Sequence, residues 1–146
     1  MKKSFIFVVL VLVMVFALCS CTKEKYPMKF GLTEKTYDDM IDLMLGTGDM
    51  SSSDLATIGG KSGARDYMKL IFAYSGLDDF SITLVDENNM SVTIGGETSK
   101  GTYRINNNTI TITADGESVS GTIAKDKSSI TLLADYYGYA FTLYRL

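Results

Sequence analysis

GTYRINNNTITI (101–112) and GTIAKDKSSITL (121–132) align without a gap, twenty residues apart. In the first, Gly101, Tyr103 and Ile105 alternate with Thr102 and Arg104; after Asn106-Asn107-Asn108, Ile110 and Ile112 alternate with Thr109 and Thr111. A side-chain period of two marks strands with one buried face, and a polar cluster between two such runs marks a turn. The register continues upstream, where VTIGGE (92–97) matches ITADGE (112–117) at the same offset. Twenty residues accommodate two strands and two turns but no helix-containing solenoid unit. The repeat therefore reads as successive hairpins of one sheet.

The same period runs outward from this core. Phe80, Ile82 and Leu84 precede it, then Met90, Val92 and Ile94; Val119, Ile123, Ile130 and Leu132 follow. Tyr137, Tyr139, Phe141 and Leu143 close the chain. Turn residues separate the runs at Asp86–Asn89, Gly95-Gly96, Asp115-Gly116 and Lys125–Lys127. Residues 79–146 are thus predicted to form an antiparallel meander of about seven strands. Gly101 and Gly121 fall at equivalent places on the apolar face, and a glycine inside a strand commonly marks a sharp bend. The sheet is expected to curl into an open or partial barrel.

Upstream the period becomes helical. Tyr37, Met40, Ile41, Met44 and Leu45 form one apolar stripe, with Thr33 as N-cap, Gly46 as stop, and Asp38, Asp39 and Asp42 on the wet face. A Gly/Ser-rich loop (46–54) leads to a short helical turn near 54–58. A second helix is predicted from Ala64 to Tyr74, carrying Tyr67, Leu70, Ile71 and Tyr74 on one face and ended by Gly76. The fold class expected is α+β: two N-terminal helices (within 31–78) packed on the curled sheet, in one globular domain spanning 31–146.

The chain begins with Lys2-Lys3, an unbroken apolar run from Phe5 to Leu18, then Cys19-Ser20-Cys21. A basic start, a short apolar run and a small-residue exit make a secretory signal peptide, expected over 1–20. The apolar run reaches ~21 Å as a helix, short of a ~30 Å hydrocarbon core. Residues 21–30, with the only proline, Pro27, read as a tether.

Composition closes several routes. Without Lys2 and Lys3, 12 basic side chains face 17 acidic ones, dispersed along the chain. Nucleic acid, which demands clustered Lys or Arg, is not an expected partner. The chain has no histidine, which removes Ser-His-Asp and Cys-His catalysis and imidazole-based zinc sites. No cofactor or metal is expected, and no enzymatic activity.

The remaining motifs are weak. Gly59-Gly60-Lys61-Ser62 lacks the glycine that a phosphate-binding loop requires at position 55, which holds Leu55. Asp49–Asp54 supplies mostly hydroxyls where a calcium loop needs alternating carboxylates and a distal Glu. Adjacent pairs such as Asp38/Asp39 and Asp78/Asp79 diverge rather than face each other across a cleft. The aromatic cluster near the C-terminus is the richest feature. Alternation places Tyr137, Tyr139 and Phe141 on the core side, and Tyr136 and Tyr144 on the other, as a surface patch or under the helices.

Leu18-Cys19-Ser20-Cys21 resembles the lipobox of bacterial lipoproteins, with Leu18 three residues before Cys21 and small Ser20 just before it. The resemblance implies that Cys21 is diacylated on sulfur and becomes the N-terminus of a 126-residue chain. It also implies a bacterial envelope location, with the lipid on Cys21 holding the protein to a membrane, the outer membrane or cell surface by preference. The runs Gly101–Ile105, Asn108–Ile112 and Gly121–Ile123 resemble the small lipocalin-like domains of such lipoproteins. Those are meander barrels, some of whose relatives carry apolar ligands. Two functions follow. One is a non-catalytic protein-interaction or inhibitor module for an envelope or host protein, expected to show a solid core and an exposed apolar patch. The other is a carrier holding a small apolar or amphipathic ligand in a cavity lined by Tyr103, Ile112, Tyr139 and Phe141.

Overall fold

The computed structural model describes residues 24–134 and 139–146. The expected signal peptide, Cys21, Tyr136 and Tyr137 lie outside them. The meander is present, but closed. Eight antiparallel strands follow one another around a barrel: β1 (Met28–Gly31), β2 (Ser81–Leu84), β3 (Asn89–Ile94), β4 (Glu97–Asn106), β5 (Thr109–Ala114), β6 (Glu117–Ile123), β7 (Ser129–Ala134) and β8 (Tyr139–Arg145). The strand missing from the sequence reading is β1, whose residues fall largely in the stretch expected as tether. It pairs with β2 (Met28 opposite Leu84) and with β8 (Gly31 opposite Tyr144), and so joins the two edges an open sheet would leave. A closed barrel replaces the partial one expected.

The hairpin turns fall where the polar clusters placed them. Asn107, Asp115 and Lys127 have positive φ, as does Gly116, in the left-handed region that Asn, Asp and Gly tolerate best. Gly101 and Gly121 explain the tight curl. A Cβ at Gly101 would lie 2.2 Å from the Thr113 carbonyl oxygen and 3.0 Å from Met90 Sδ; at Gly121 it would lie 2.3 Å from the Thr131 carbonyl oxygen. At both places a neighbouring strand folds over the position a side chain would occupy.

Inside the barrel, Met28, Phe30, Leu84, Met90, Ile110 and Leu143 are fully or almost fully buried. The outer wall is wet. Hydroxyls pair across strands at Thr93–Thr98 (3.0 Å), Thr111–Ser120 (3.2 Å), Thr113–Ser118 (2.7 Å) and Thr131–Thr142 (2.9 Å). A lipid-spanning barrel needs an apolar outer band instead. Among the described residues, no helix is long and apolar enough to cross a membrane.

Between β1 and β2 the chain forms three helices, the two expected and a short one where a helical turn was expected: α1 (Glu34–Thr47), α2 (Ser52–Thr57) and α3 (Gly60–Tyr74). Thr33 caps α1, its side chain accepting from the Thr36 N–H while Thr36 Oγ1 accepts from the Thr33 N–H. The helix runs past Gly46 and stops at Gly48, whose φ is 84°. Its predicted stripe packs inward, with Tyr37 and Ile41 buried against Ala64 and Met68 of α3. Tyr37 also meets Phe72 edge-on, ring centroids 5.6 Å apart.

The structure adds which side of α3 packs inward and what the α1 carboxylates meet. Tyr67, Leu70 and Tyr74 of α3 are 60%, 66% and 95% exposed. The face packed on α1 is Ala64, Met68 and Phe72. The α1 carboxylates are not simply solvated, because α3 brings cations to them. Lys61 pairs with Asp42, Lys69 with Glu34, and Arg65 bridges Glu34 and Asp38. Asp38 Oδ1 and Arg65 Nε lie 2.9 Å apart, shielded from water, paired as charges without the alignment of a hydrogen bond. Burial would raise the Asp39 carboxyl, but Lys35 and the Tyr144 hydroxyl outweigh it and hold that group below its ordinary range. Tyr144 thus lies under α1 and joins that helix to β8.

Candidate functional site

The two ends of the barrel differ. At one end are the turns β2–β3, β4–β5 and β6–β7, together with the start of β1; this end is shut. Tyr103 donates its hydroxyl to the Asp86 carbonyl oxygen at 2.7 Å, and the Tyr26 hydroxyl lies 3.0 Å from it. Burial, reinforced by the Tyr26 hydrogen bond, pushes the Tyr103 phenol above its ordinary range, so it stays protonated and donating.

Among the described residues, the opposite end is open. A cup of about 490 Å³ enters there, within the ~300–1,000 Å³ typical of small-molecule sites. Ile82, Ile112 and Leu132 form its floor, and Phe80, Val92 and Val119 its walls. Two features leave this space unfilled. The inward positions above Gly101 on β4 are small or polar (Ser99, then Glu97), and Ala114 ends β5 with a single methyl. The β3–β4 hairpin rises as one wall, because Asp79 accepts hydrogen bonds from the Gly95 and Gly96 N–H groups at 2.7 and 2.6 Å. Apolar side chains remain partly in contact with water at this rim, Ile94 and Val119 among them.

The four residues expected to line a cavity separate. Ile112 is in the cup floor. Tyr103 belongs to the closed end. Phe141 packs on the core beside Phe80, ring centroids 5.6 Å apart, and so backs a cup wall. Tyr139 pairs with Ala134 in the β7–β8 ladder; its side chain lies outside the described residues, as does Cys21. Sequence reading missed Phe80, Val92 and Val119 as lining, although their alternation with Ile82, Ile94 and Gly121 already placed each on the inner face.

A second hollow, of about 500 Å³, lies among Thr102, Arg104, Thr111 and Thr113 on the outer wall. Its hydroxyls and guanidinium suit water better than an apolar ligand. Among the described residues, no three His, Cys, Asp or Glu side chains gather as metal ligands would. Chemically, the cup offers an apolar floor, the Ser99 hydroxyl, and carboxylates at Glu97, Asp115 and Glu117.

The fold and the site define a closed, up-and-down eight-stranded barrel with a helical insertion and, among the described residues, a cup at one end. Comparison with known protein families, with curated proteins and with solved structures returns no match.

Proposed function

We propose that this chain is a non-catalytic binding protein of the bacterial envelope, held to a membrane by lipid on Cys21, with a small apolar or amphipathic ligand in the mouth of a lipocalin-like barrel. The observation carrying this reading is the cup, apolar below and open above among the described residues, seated on the buried apolar cluster of the barrel. The anchor and the cup are compatible in geometry. From Cys21 to Met28 is seven residues, at most about 25 Å of extended chain. Met28 enters β1 at the shut end, so a lipid there leaves the mouth pointing away from the bilayer.

A second reading is favoured by α3, whose exposed Tyr67, Leu70, Ile71 and Tyr74 stand at i, i+3, i+4 and i+7. That spacing suits a helix laid into an apolar groove, so the partner would be an envelope or host protein bearing such a groove.

The test uses the chain from Thr22. The hydrogen-bonded circuit of strands and both apolar clusters fall within residues 26–146, so this segment holds every described strand, helix and apolar cluster. Native mass spectrometry is run on protein purified without detergent, alongside Ser99→Trp, which fills the cup from an inward β4 position. An added mass that denaturation removes and Ser99→Trp abolishes supports the carrier reading. A clean mass after incubation with decanol, decanoate and decylammonium overturns it and leaves the α3 reading. Labelling cells with a palmitate analogue tests the anchor; Cys21→Ser is expected to lose the label.

A further inference from the structure

Two acidic side chains stand on the barrel's inner face, where apolar residues are the rule. Glu97 opens β4 and Glu117 opens β6. By strand alternation Glu97 shares its face with Ser99 and Gly101, and Glu117 with Val119 and Gly121. The two glutamates are also twenty residues apart, so they are equivalent positions of the internal repeat. Each repeat therefore places one carboxylate at the mouth, and Asp115 on the β5–β6 turn adds a third.

Nothing in the described wall balances them. Among the described residues, no Lys or Arg lines the cup. The ion pairs lie elsewhere, on α1 and α3 and between Lys127 and Glu24. Like charges around an apolar hollow reinforce one another, because low-dielectric walls focus the field into the opening. An anionic head group would be repelled there. A cationic head would be attracted while its tail reached Ile82, Ile112 and Leu132.

From this geometry we infer that the cup selects amphipathic cations, with an apolar tail toward the floor and an ammonium head between Glu97, Asp115 and Glu117. The inference rests on the carrier reading above and narrows its ligand class.

Three probes that share a tail and differ in the head decide it: decylammonium, decanol and decanoate, titrated calorimetrically into the chain from Thr22 at low salt. Decylammonium is expected to bind about fivefold to tenfold tighter than decanol, the scale of two exposed ion pairs, and decanoate no tighter than decanol. Glu97→Gln with Glu117→Gln is expected to bring decylammonium to the level of decanol while leaving decanol unchanged. Both residues are exposed, so the fold should persist. Added salt is expected to erode the same preference.

Equal affinities in the unaltered chain, or a preference that survives the double substitution, overturn the head-group assignment and leave the cup standing. Decylammonium binding that persists in Ser99→Trp places the cation on the acidic outer surface, and also overturns it. If none of the three probes binds to the folded chain, the carrier reading fails and takes this inference with it.

Discussion

The Tyr26 hydroxyl lies 3.0 Å from the Tyr103 hydroxyl, which in turn donates to the Asp86 carbonyl oxygen, so one residue ahead of the barrel and one inside it seal the same end. This relationship makes Tyr103 a closing residue rather than a ligand contact. Tyr103→Phe keeps the ring and removes the donor, and is expected to cost about 1 kcal/mol. Urea unfolding measures that cost. Decanol affinity should not change, because Tyr103 is not among the residues lining the cup; an altered affinity would return Tyr103 to the binding site.

Glycines at Gly101 and Gly46 should respond oppositely to alanine. At Gly101 the new methyl would meet the Thr113 carbonyl oxygen at 2.2 Å, and backbone must move. Gly101→Ala is expected to destabilise by ~2–3 kcal/mol or more, the upper range for overpacking. Gly46 lies inside α1 with nothing within 4 Å of its would-be Cβ. Gly46→Ala is expected to stabilise by ~0.5–1 kcal/mol, since it restricts only the unfolded chain and favours the helix. Thermal unfolding of the two variants gives both signs in one experiment.

How far each feature was legible depends on where its partner sits in the chain. Strands β2 to β8 announce themselves because each pairs with a sequence neighbour, and the turns from β2 to β7 carry Asn, Asp, Gly or Lys. β1 does not. It is four residues, Met28–Gly31, and its partners Leu84 and Tyr144 lie more than fifty residues away, so nothing local marks it as a strand. Barrel closure was hidden with it. The apolar content of α3 was legible but its inner face was not, because the helix carries large apolar residues on two sides. The side that meets α1 is Ala64, Met68 and Phe72, and at the edge of that contact Lys61, Arg65 and Lys69 reach Asp42, Asp38 and Glu34. The cup was only half legible. Alternation gives its lining, but the empty space arises because small Ser99 and Ala114 both line the cup, on neighbouring strands of a curl that neither reveals alone.

That account of α3 can be checked by two substitutions on one helix. Leu70→Lys places a charge on the exposed side and is expected to change stability by no more than about 0.5 kcal/mol. Met68→Ala removes a side chain only 7% exposed and is expected to cost ~2–4 kcal/mol. Circular dichroism melts distinguish them. A large loss from Leu70→Lys would mean that the outer face is covered within the folded chain, against the helix-in-groove reading.

Acid should weaken the domain in a defined window. Lys69, then Arg65, hold Glu34 below its ordinary range, and Asn89 with the Asn88 and Asn89 N–H groups does the same for Asp86. Asp39 is lowered as well, where Lys35 and Tyr144 overcome the effect of burial. A carboxyl depressed on folding contributes stability that is fully present above its unfolded value, about 4, and is lost as pH falls through the folded value. The melting temperature is therefore expected to decline below about pH 4. With no histidine in the chain, it should stay nearly flat between about pH 6 and 8. Asp39→Asn removes one of the three groups and should make the acid decline shallower, while loosening α1 from Tyr144 at neutral pH. Melts across the pH range compare the two chains. An identical acid slope would show that Asp39 carries no share of the pH dependence, and that its pairing with Tyr144 acts only as a neutral hydrogen bond.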